Sequence, residues 1–340
     1  MLRLTRPFIS DAEVDAVRKV LESGWLAEGS LTRQFEDAVA RYVGARFAVA
    51  FCNCTVAMTL CLIAEGVKGK VAVPDFTHPA TAQAILNARC TPVLCDVSLE
   101  SYNIAEYNSS VGTSIPVSWG GNPLGWYPPA FIVEDAACSL GAAVDSVKVG
   151  SQFTTCFSFH PRKIITTGEG AIVTTNSKEL ADKLCDLKNF GKGGGNYKFN
   201  EVAAAIGIEQ LKKIEQIVKV RREMAEIYDT LLSDVNGVVT PAKNSHVRHT
   251  YQTYAVYLKN GNRDEIINRL ALKGIETQIG TYALHCLPQF RRLQRMSKLE
   301  NSRKLYENLL ALPLSYDLTF DDQTRVVAEL QNELAKAGNA

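Results

Sequence analysis

The chain has 340 residues, 46% of them hydrophobic and 21% charged, an ordinary globular composition with room for a large domain and a smaller one. Its 37 basic and 36 acidic residues leave a net charge of +1, which argues against an electrostatic nucleic-acid or membrane-surface role. Nine cysteines with no repeated CxxC spacing favour neither a disulfide framework nor a zinc ribbon, and read as free thiols in a reducing compartment.

The opening, MLRLTRPFISDAEVDAVRKV, enters an amphipathic helix without an apolar leader. The best apolar run, AILNARCTPVLCDV, is interrupted by Asn87, Arg89 and Pro92 and is too short to span a membrane. A cytoplasmic protein with no membrane or nucleic-acid partner is therefore expected. From about Ala45 the pattern alternates. RFAVAF (46–51) reads as a strand, TVAMTLCLIAEG (55–66) as a helix stopped by glycine, and KVAVP (70–74) as a strand stopped by proline. HPATAQAILNARC (78–90) reads as a helix with proline near its start, where the missing N–H costs little. TPVLCDV, SIPVSW and AFIVEDA are further short apolar runs, and strands alternating with helices predict a mostly parallel sheet flanked by helices. Beyond Thr175 come a helix (177–190), a flexible GKGGGN loop (191–196) and one long helical pattern (200–232). Mixed strand and helix signals then run to the end, predicting a smaller C-terminal α+β domain (236–340) after a large domain (1–235) whose N-terminal segment also contacts the small one.

Four short stretches are candidates for chemistry. CNCTVAM joins a strand to a helix N-terminus, where free N–H groups and the helix dipole hold anions. Thr55 either adds a hydroxyl there or, like Asn53, simply caps the helix. VPDFTHPAT sets Phe76 and His78 at a strand's carboxyl end, the ligand edge of open α/β sheets; the rings either stack on a planar ligand or pack locally. FIVEDAACSLGA runs an apolar strand into Glu134 and Asp135; Asp135 either faces a cation or caps the next turn. SFHPRKIITTGEG places Lys163 at a strand–loop junction, where an apolar neighbourhood would lower its pKa and suit it to Schiff-base chemistry, unless it merely snorkels to solvent. HVRH (246–249) is too weak to argue for a metal, and none is expected. Taken in order, an anion cradle, a ring, a strand-end carboxylate and a lysine are the set that pyridoxal 5'-phosphate needs.

At this point the chain resembles the DegT/DnrJ/StrS sugar aminotransferases, of the aspartate-aminotransferase-like class (fold-type I pyridoxal-phosphate-dependent transferases). The family's SFHxxKxxTTGEGG stands here as SFHPRKIITTGEGA, its EDAAH-x-LGA as EDAACSLGA, and its PSFTFxAT as PDFTHPAT. GGNYKFNEVAAAIGIEQL, SGWLAEG and FEDAVARYVGA also match, so the resemblance covers nearly the whole chain.

The resemblance implies that Lys163 forms the internal aldimine with pyridoxal 5'-phosphate and carries the proton, and that Asp135 pairs with the pyridinium nitrogen. It implies that His78 stacks on the ring, and that Thr55, the Cys54 N–H and the Ser158 hydroxyl hold the phosphate. Asn196 resembles the family's phosphate contact donated across a homodimer with two shared sites. Cys138 replaces the usual His or Gln beside the ring hydroxyl, Cys54 a glycine or alanine, and Lys198 an arginine, while the 98–126 region is short for the family. Trp25, Tyr282 and His285 are candidate substrate contacts, with packing at a domain junction as the alternative for each.

The implied reaction is a ping-pong transamination from an amino acid, glutamate, to a nucleotide-linked keto-sugar, in the biosynthesis of amino sugars or surface polysaccharides. A sugar dehydratase is the alternative within the cofactor class, although a histidine replaces the lysine in such relatives. A non-catalytic binder that kept the fold is the alternative outside it.

Overall fold

The computed structural model describes residues 1–338. Helices α1 (Asp11–Ser23) and α2 (Ser30–Val43) precede the strand Phe47–Phe51, and α3 (Cys54–Ala64) and α4 (Pro79–Asn87) follow the strands Phe47–Phe51 and Lys70–Pro74. After the strand Ala171–Thr175 come α5 (Lys178–Lys188), α6 (Glu201–Lys212) and α7 (Ile214–Leu232), then α8 (Arg263–Leu272), α9 (Glu300–Asn308) and α10 (Phe320–Gly338).

The central sheet pairs Phe47–Phe51 with Ala171–Thr175, Thr155–Ser158 and Glu134–Asp135 in that order. Asp135 also pairs with Val117, downstream of the strand Thr113–Ser114, which lies against Lys70–Pro74 and leads on to Thr91–Cys95 and Gln294–Arg295. Ala171–Thr175 is antiparallel to both neighbours and the other pairings are parallel. Period-two alternation divides the side chains between two cores. Val49 and Val173 meet Leu60 of α3, Ile85 of α4 and Leu184 of α5 on one face. Ala50, Phe157 and Ile172 meet Phe35 of α2, Ala203 of α6 and Ile214 of α7 on the other. Both faces are covered, as a parallel sheet requires.

A third core joins Met224 and Tyr228 of α7, Ile266 of α8 and Val326 of α10 to a small antiparallel sheet that includes Tyr254–Leu258 and Leu309–Leu312. α7 thus serves two cores, with Ile217 in one and Tyr228 in the other. Residues from both ends of the chain cross between them: Leu2 pairs with Ile275, while Leu284, Phe290 and Leu299 pack into the first core. No helix among the described residues is long and apolar enough to cross a membrane.

The long helix expected over 200–232 is instead two, broken at Lys213. The cause is non-local. Lys213 Nζ reaches Ser10 Oγ at 3.1 Å and Glu13 of α1, and Gln210 Nε2 donates to Phe8 O at 2.6 Å and Glu13 Oε1 at 2.7 Å. Glu13, 2% exposed, also accepts from the Ser10 N–H at 2.9 Å. Burial alone would raise its pKa, but the bonds from Lys213, Gln210 and Ser10 prevail and bring it from 4.5 down to about 2. A depressed carboxylate stabilises the fold fully above its unfolded pKa and loses that contribution as pH falls through the folded value. The shift corresponds to roughly 3 kcal/mol, present at neutral pH and lost on acidification from about pH 4.5 towards pH 2. Glu13→Gln is therefore expected to be less stable than the wild type in urea at pH 7, with the gap closing as the pH approaches 2.

Candidate active site

The strand Phe47–Phe51 delivers the chain to the N-terminus of α3. Asn53 is the cap: its side chain accepts from the Val56 N–H at 2.9 Å and its carbonyl from the Ala57 N–H at 3.1 Å. Of the first four N–H groups, which have no partner further back in a helix, those of Cys54 and Thr55 have no protein acceptor among the described residues. Thr55 is half-buried and its hydroxyl is not used as the cap. The strand Thr155–Ser158 passes beneath. Alternation turns Phe157 towards Phe35 and sets Cys156 and Ser158 on the α3 side, where Cys156 Sγ lies 3.0 Å from Cys54 Sγ.

Asp135 is 5% exposed at the carboxyl end of its strand. Its Oδ2 accepts from Thr81 Oγ1 at 2.7 Å and its Oδ1 from the Ala137 N–H at 3.1 Å, so the turn-capping role and the inward orientation coexist. Thr81 lies one helical turn after His78, the N-cap of α4, whose Nδ1 accepts from the Ala80 N–H at 3.2 Å. Partial enclosure and the Lys163 charge hold the His78 imidazole below its ordinary pKa, against the pull of Asp135. Glu134 points the other way. It is fully buried, accepts from Tyr127 OH at 3.0 Å and from Ser118 Oγ, and burial raises its pKa to about 7.

Lys163 lies in a loop that folds back on the strand it leaves. The Thr166 hydroxyl and Thr167 N–H donate to Phe159 O at 2.8 and 3.0 Å, and the Phe159 N–H to Gly170 O at 2.9 Å. Gly170 has a φ of +155°, and a Cβ there would lie 2.4 Å from the Phe199 ring, so this turn demands glycine. Lys163 Nζ donates to Cys138 Sγ at 3.2 Å. The lowered pKa expected for this amine is not found. Burial pushes it down, but the Cys138 sulfur, the Asp135 carboxylate and Cys54 outweigh burial and raise it. Arg162 beside it is tied to Gln278 Oε1 at 2.7 Å.

The remaining candidates are spread more widely. Tyr282 lies on the same cleft as His78, with ring centroids 6.2 Å apart. Trp25 is 64% exposed and leans over Gly29, whose Cβ would meet its indole nitrogen at 2.7 Å. Asn196 is exposed at the end of the glycine loop. His285 is buried with both ring nitrogens engaged, Nδ1 with Asp75 Oδ2 at 2.6 Å and Nε2 with Cys286 Sγ at 3.4 Å. Thr81 is a site residue that sequence reasoning missed; its position one turn after a capping histidine was the available signal. No cluster of three or more His, Cys, Asp or Glu able to hold a metal ion occurs among the described residues.

The sequence model of the DegT/DnrJ/EryC1/StrS aminotransferase family matches residues 7–109 and 129–331. The chain is 30% identical to GDP-perosamine synthase of Caulobacter vibrioides over 98% of each protein. It is 29% identical to UDP-4-amino-4-deoxy-L-arabinose--oxoglutarate aminotransferase of Shewanella sediminis over 97% of each. The structure of DesI in the presence of its TDP-sugar product superposes with a TM-score of 0.88 at 27% identity, covering 98% of this chain and 92% of that one. Residues 110–128, between the two matched ranges, supply Ser118 and Tyr127, the partners of buried Glu134. The fold is that of the fold-type I transferases, and the chain belongs to the DegT/DnrJ/EryC1/StrS aminotransferase family.

Proposed function

We propose that the chain is a pyridoxal 5'-phosphate-dependent aminotransferase that moves an amino group from L-glutamate to a nucleotide-linked keto-sugar. The observation that carries this reading is the gathering of Lys163 Nζ, the Asp135 carboxylate, His78 and the uncapped N–H groups of α3 around one cleft. The nucleotide sugars in the names of the relatives support the substrate class, and the oxoglutarate in one of them supports glutamate as donor.

The residues fit the cofactor. The Cys54 and Thr55 N–H groups, with the Thr55 and Ser158 hydroxyls, would hold the phosphate, helped by the positive end of the α3 dipole. Asp135, fixed by Thr81 and Ala137, would keep the ring nitrogen protonated. His78, its Nδ1 already occupied by a backbone donor, would lie against the ring as a neutral imidazole. Cys138 would stand beside the ring hydroxyl, within reach of Lys163. Lys163 Nζ would hold the cofactor and carry the proton that moves during transfer. When bound, pyridoxal phosphate withdraws electrons from the carbon bearing the amine and so makes its proton removable. Asn196 of the partner subunit would complete the phosphate site, making a homodimer with shared sites the working unit. Trp25 and Tyr282 would face the sugar, while His285 would act through the wall that carries Tyr282. Residues 1–235 would form the cofactor-binding domain and 236–340 the smaller one, with the protein working in the cytoplasm.

The test has two parts. Borohydride reduction with pyridoxal phosphate, followed by peptide mapping, is expected to mark Lys163, and a mark elsewhere or nowhere sinks the cofactor assignment. Glutamate with candidate nucleotide-linked keto-sugars is expected to yield 2-oxoglutarate. No 2-oxoglutarate with any of them would overturn the proposed donor and acceptor.

A further inference from the structure

We propose that Cys54 and Cys156 are a redox-modification site, forming a reversible disulfide that a hydroperoxide closes beneath the phosphate cradle when that cradle is empty. The two sulfurs, 102 residues apart in sequence, lie 3.0 Å apart, and no other pair of cysteine sulfurs lies within hydrogen-bonding distance among the described residues. A disulfide needs about 2.0 Å, so the closing movement is only about 1 Å. The two positions are unequal. Cys156 is fully buried on its strand, where burial holds its thiol far above the ordinary range. Cys54 is half-buried as the first residue of α3, on the cleft side. The oxidant therefore meets Cys54 first, and Cys156 is the neighbour that resolves it. Neither sulfur bonds the cofactor or carries a proton in the proposed transfer chemistry.

The steps balance. The Cys54 sulfur attacks one peroxide oxygen, the O–O bond breaks, and hydroxide leaves as water, giving a sulfenic acid. The Cys156 sulfur then attacks the Cys54 sulfur, the S–O bond breaks, and the second hydroxide leaves as water with the Cys156 proton. Two thiols supply the two electrons that reduce the peroxide. A dithiol such as dithiothreitol reverses the result by exchange.

A consequence for binding rests on the reading of α3 as the phosphate cradle. A phosphate on the Cys54 and Thr55 N–H groups covers Cys54 from the cleft, and closing the disulfide draws that same residue towards the sheet. Cofactor and disulfide then oppose one another, and such coupling is reciprocal in the binding equilibria.

The experiment exposes the full-length reduced chain to hydrogen peroxide, with and without pyridoxal phosphate. Free thiols are alkylated and unreduced peptides mapped by mass spectrometry. The expected product is a Cys54–Cys156 peptide pair two hydrogens lighter, released by dithiothreitol, forming about tenfold more slowly in the loaded chain. In Cys156→Ala, dimedone is expected to trap a sulfenic acid on Cys54. Linkage through other cysteines, or Cys156 still alkylatable after unfolding of the oxidised wild type, overturns the proposal. Equal rates with and without cofactor overturn the opposition alone. A chain that forms the pair yet shows no absorbance of bound pyridoxal phosphate refutes the cofactor reading and leaves the disulfide standing.

Discussion

Lys163→Ala is expected to slow amino transfer about 10⁴-fold, the upper end of what a positioned proton carrier contributes. The loss should appear in each half-reaction measured separately, because the same Nζ would carry the proton in both halves. The fold should survive. Among the described residues the only side-chain hydrogen-bond partner of Nζ is Cys138 Sγ, and a thiol left without an amine is not a stranded charge. Asp135 keeps its donors from Thr81 and Ala137, so urea unfolding is expected to shift by no more than about 1 kcal/mol. Lys163→Arg sharpens the test. It preserves the positive charge beside Asp135 but offers a guanidinium that neither bonds the cofactor nor gives up its proton near neutral pH. It should be as inactive as the alanine variant, while a small primary amine added to Lys163→Ala should restore part of the rate. Substantial activity in Lys163→Arg would mean that charge alone matters there, contrary to the proposed role.

The expectations that held are those that rest on local patterns. The apolar runs RFAVAF and KVAVP and the proline in HPAT were enough to anticipate two strands and the start of α4, because strand preference and capping act within a few residues. What escaped was set by partners far away in sequence. Nothing in 200–232 signals a break at Lys213, since the break is made by residues of the first fifteen. His285 is pinned by Asp75, 210 residues away, a partner that nothing in its own loop signals. The pKa of Lys163 went wrong for the same reason. Burial was foreseen, but Cys138, Asp135 and Cys54, which reverse its effect, come from three other segments. Thr81 was legible and overlooked: a hydroxyl at the third helical position after a capping histidine faces back over the same strand end.

The second large effect is expected at Asp135, and it separates charge from shape. Asp135→Asn keeps the size of the side chain. The Ala137 N–H can still donate to the remaining oxygen, and the Thr81 hydroxyl, which donates to Oδ2, can rotate to accept from the new amide instead. Stability should therefore change by no more than about 1 kcal/mol. Asp135→Ala lacks that compensation, leaves the fully buried Thr81 hydroxyl without its carboxylate, and should cost about 1–3 kcal/mol. Both variants remove the negative charge that would hold a proton on the ring nitrogen. Both are expected to lose about 10²–10³-fold in transfer rate, as when a preorganised electrostatic partner is removed. The diagnostic result is the asparagine variant: wild-type unfolding in urea, cofactor still captured by Lys163, and a transfer rate as low as that of the alanine variant. Wild-type turnover in Asp135→Asn would show that the carboxylate serves only to cap its own turn.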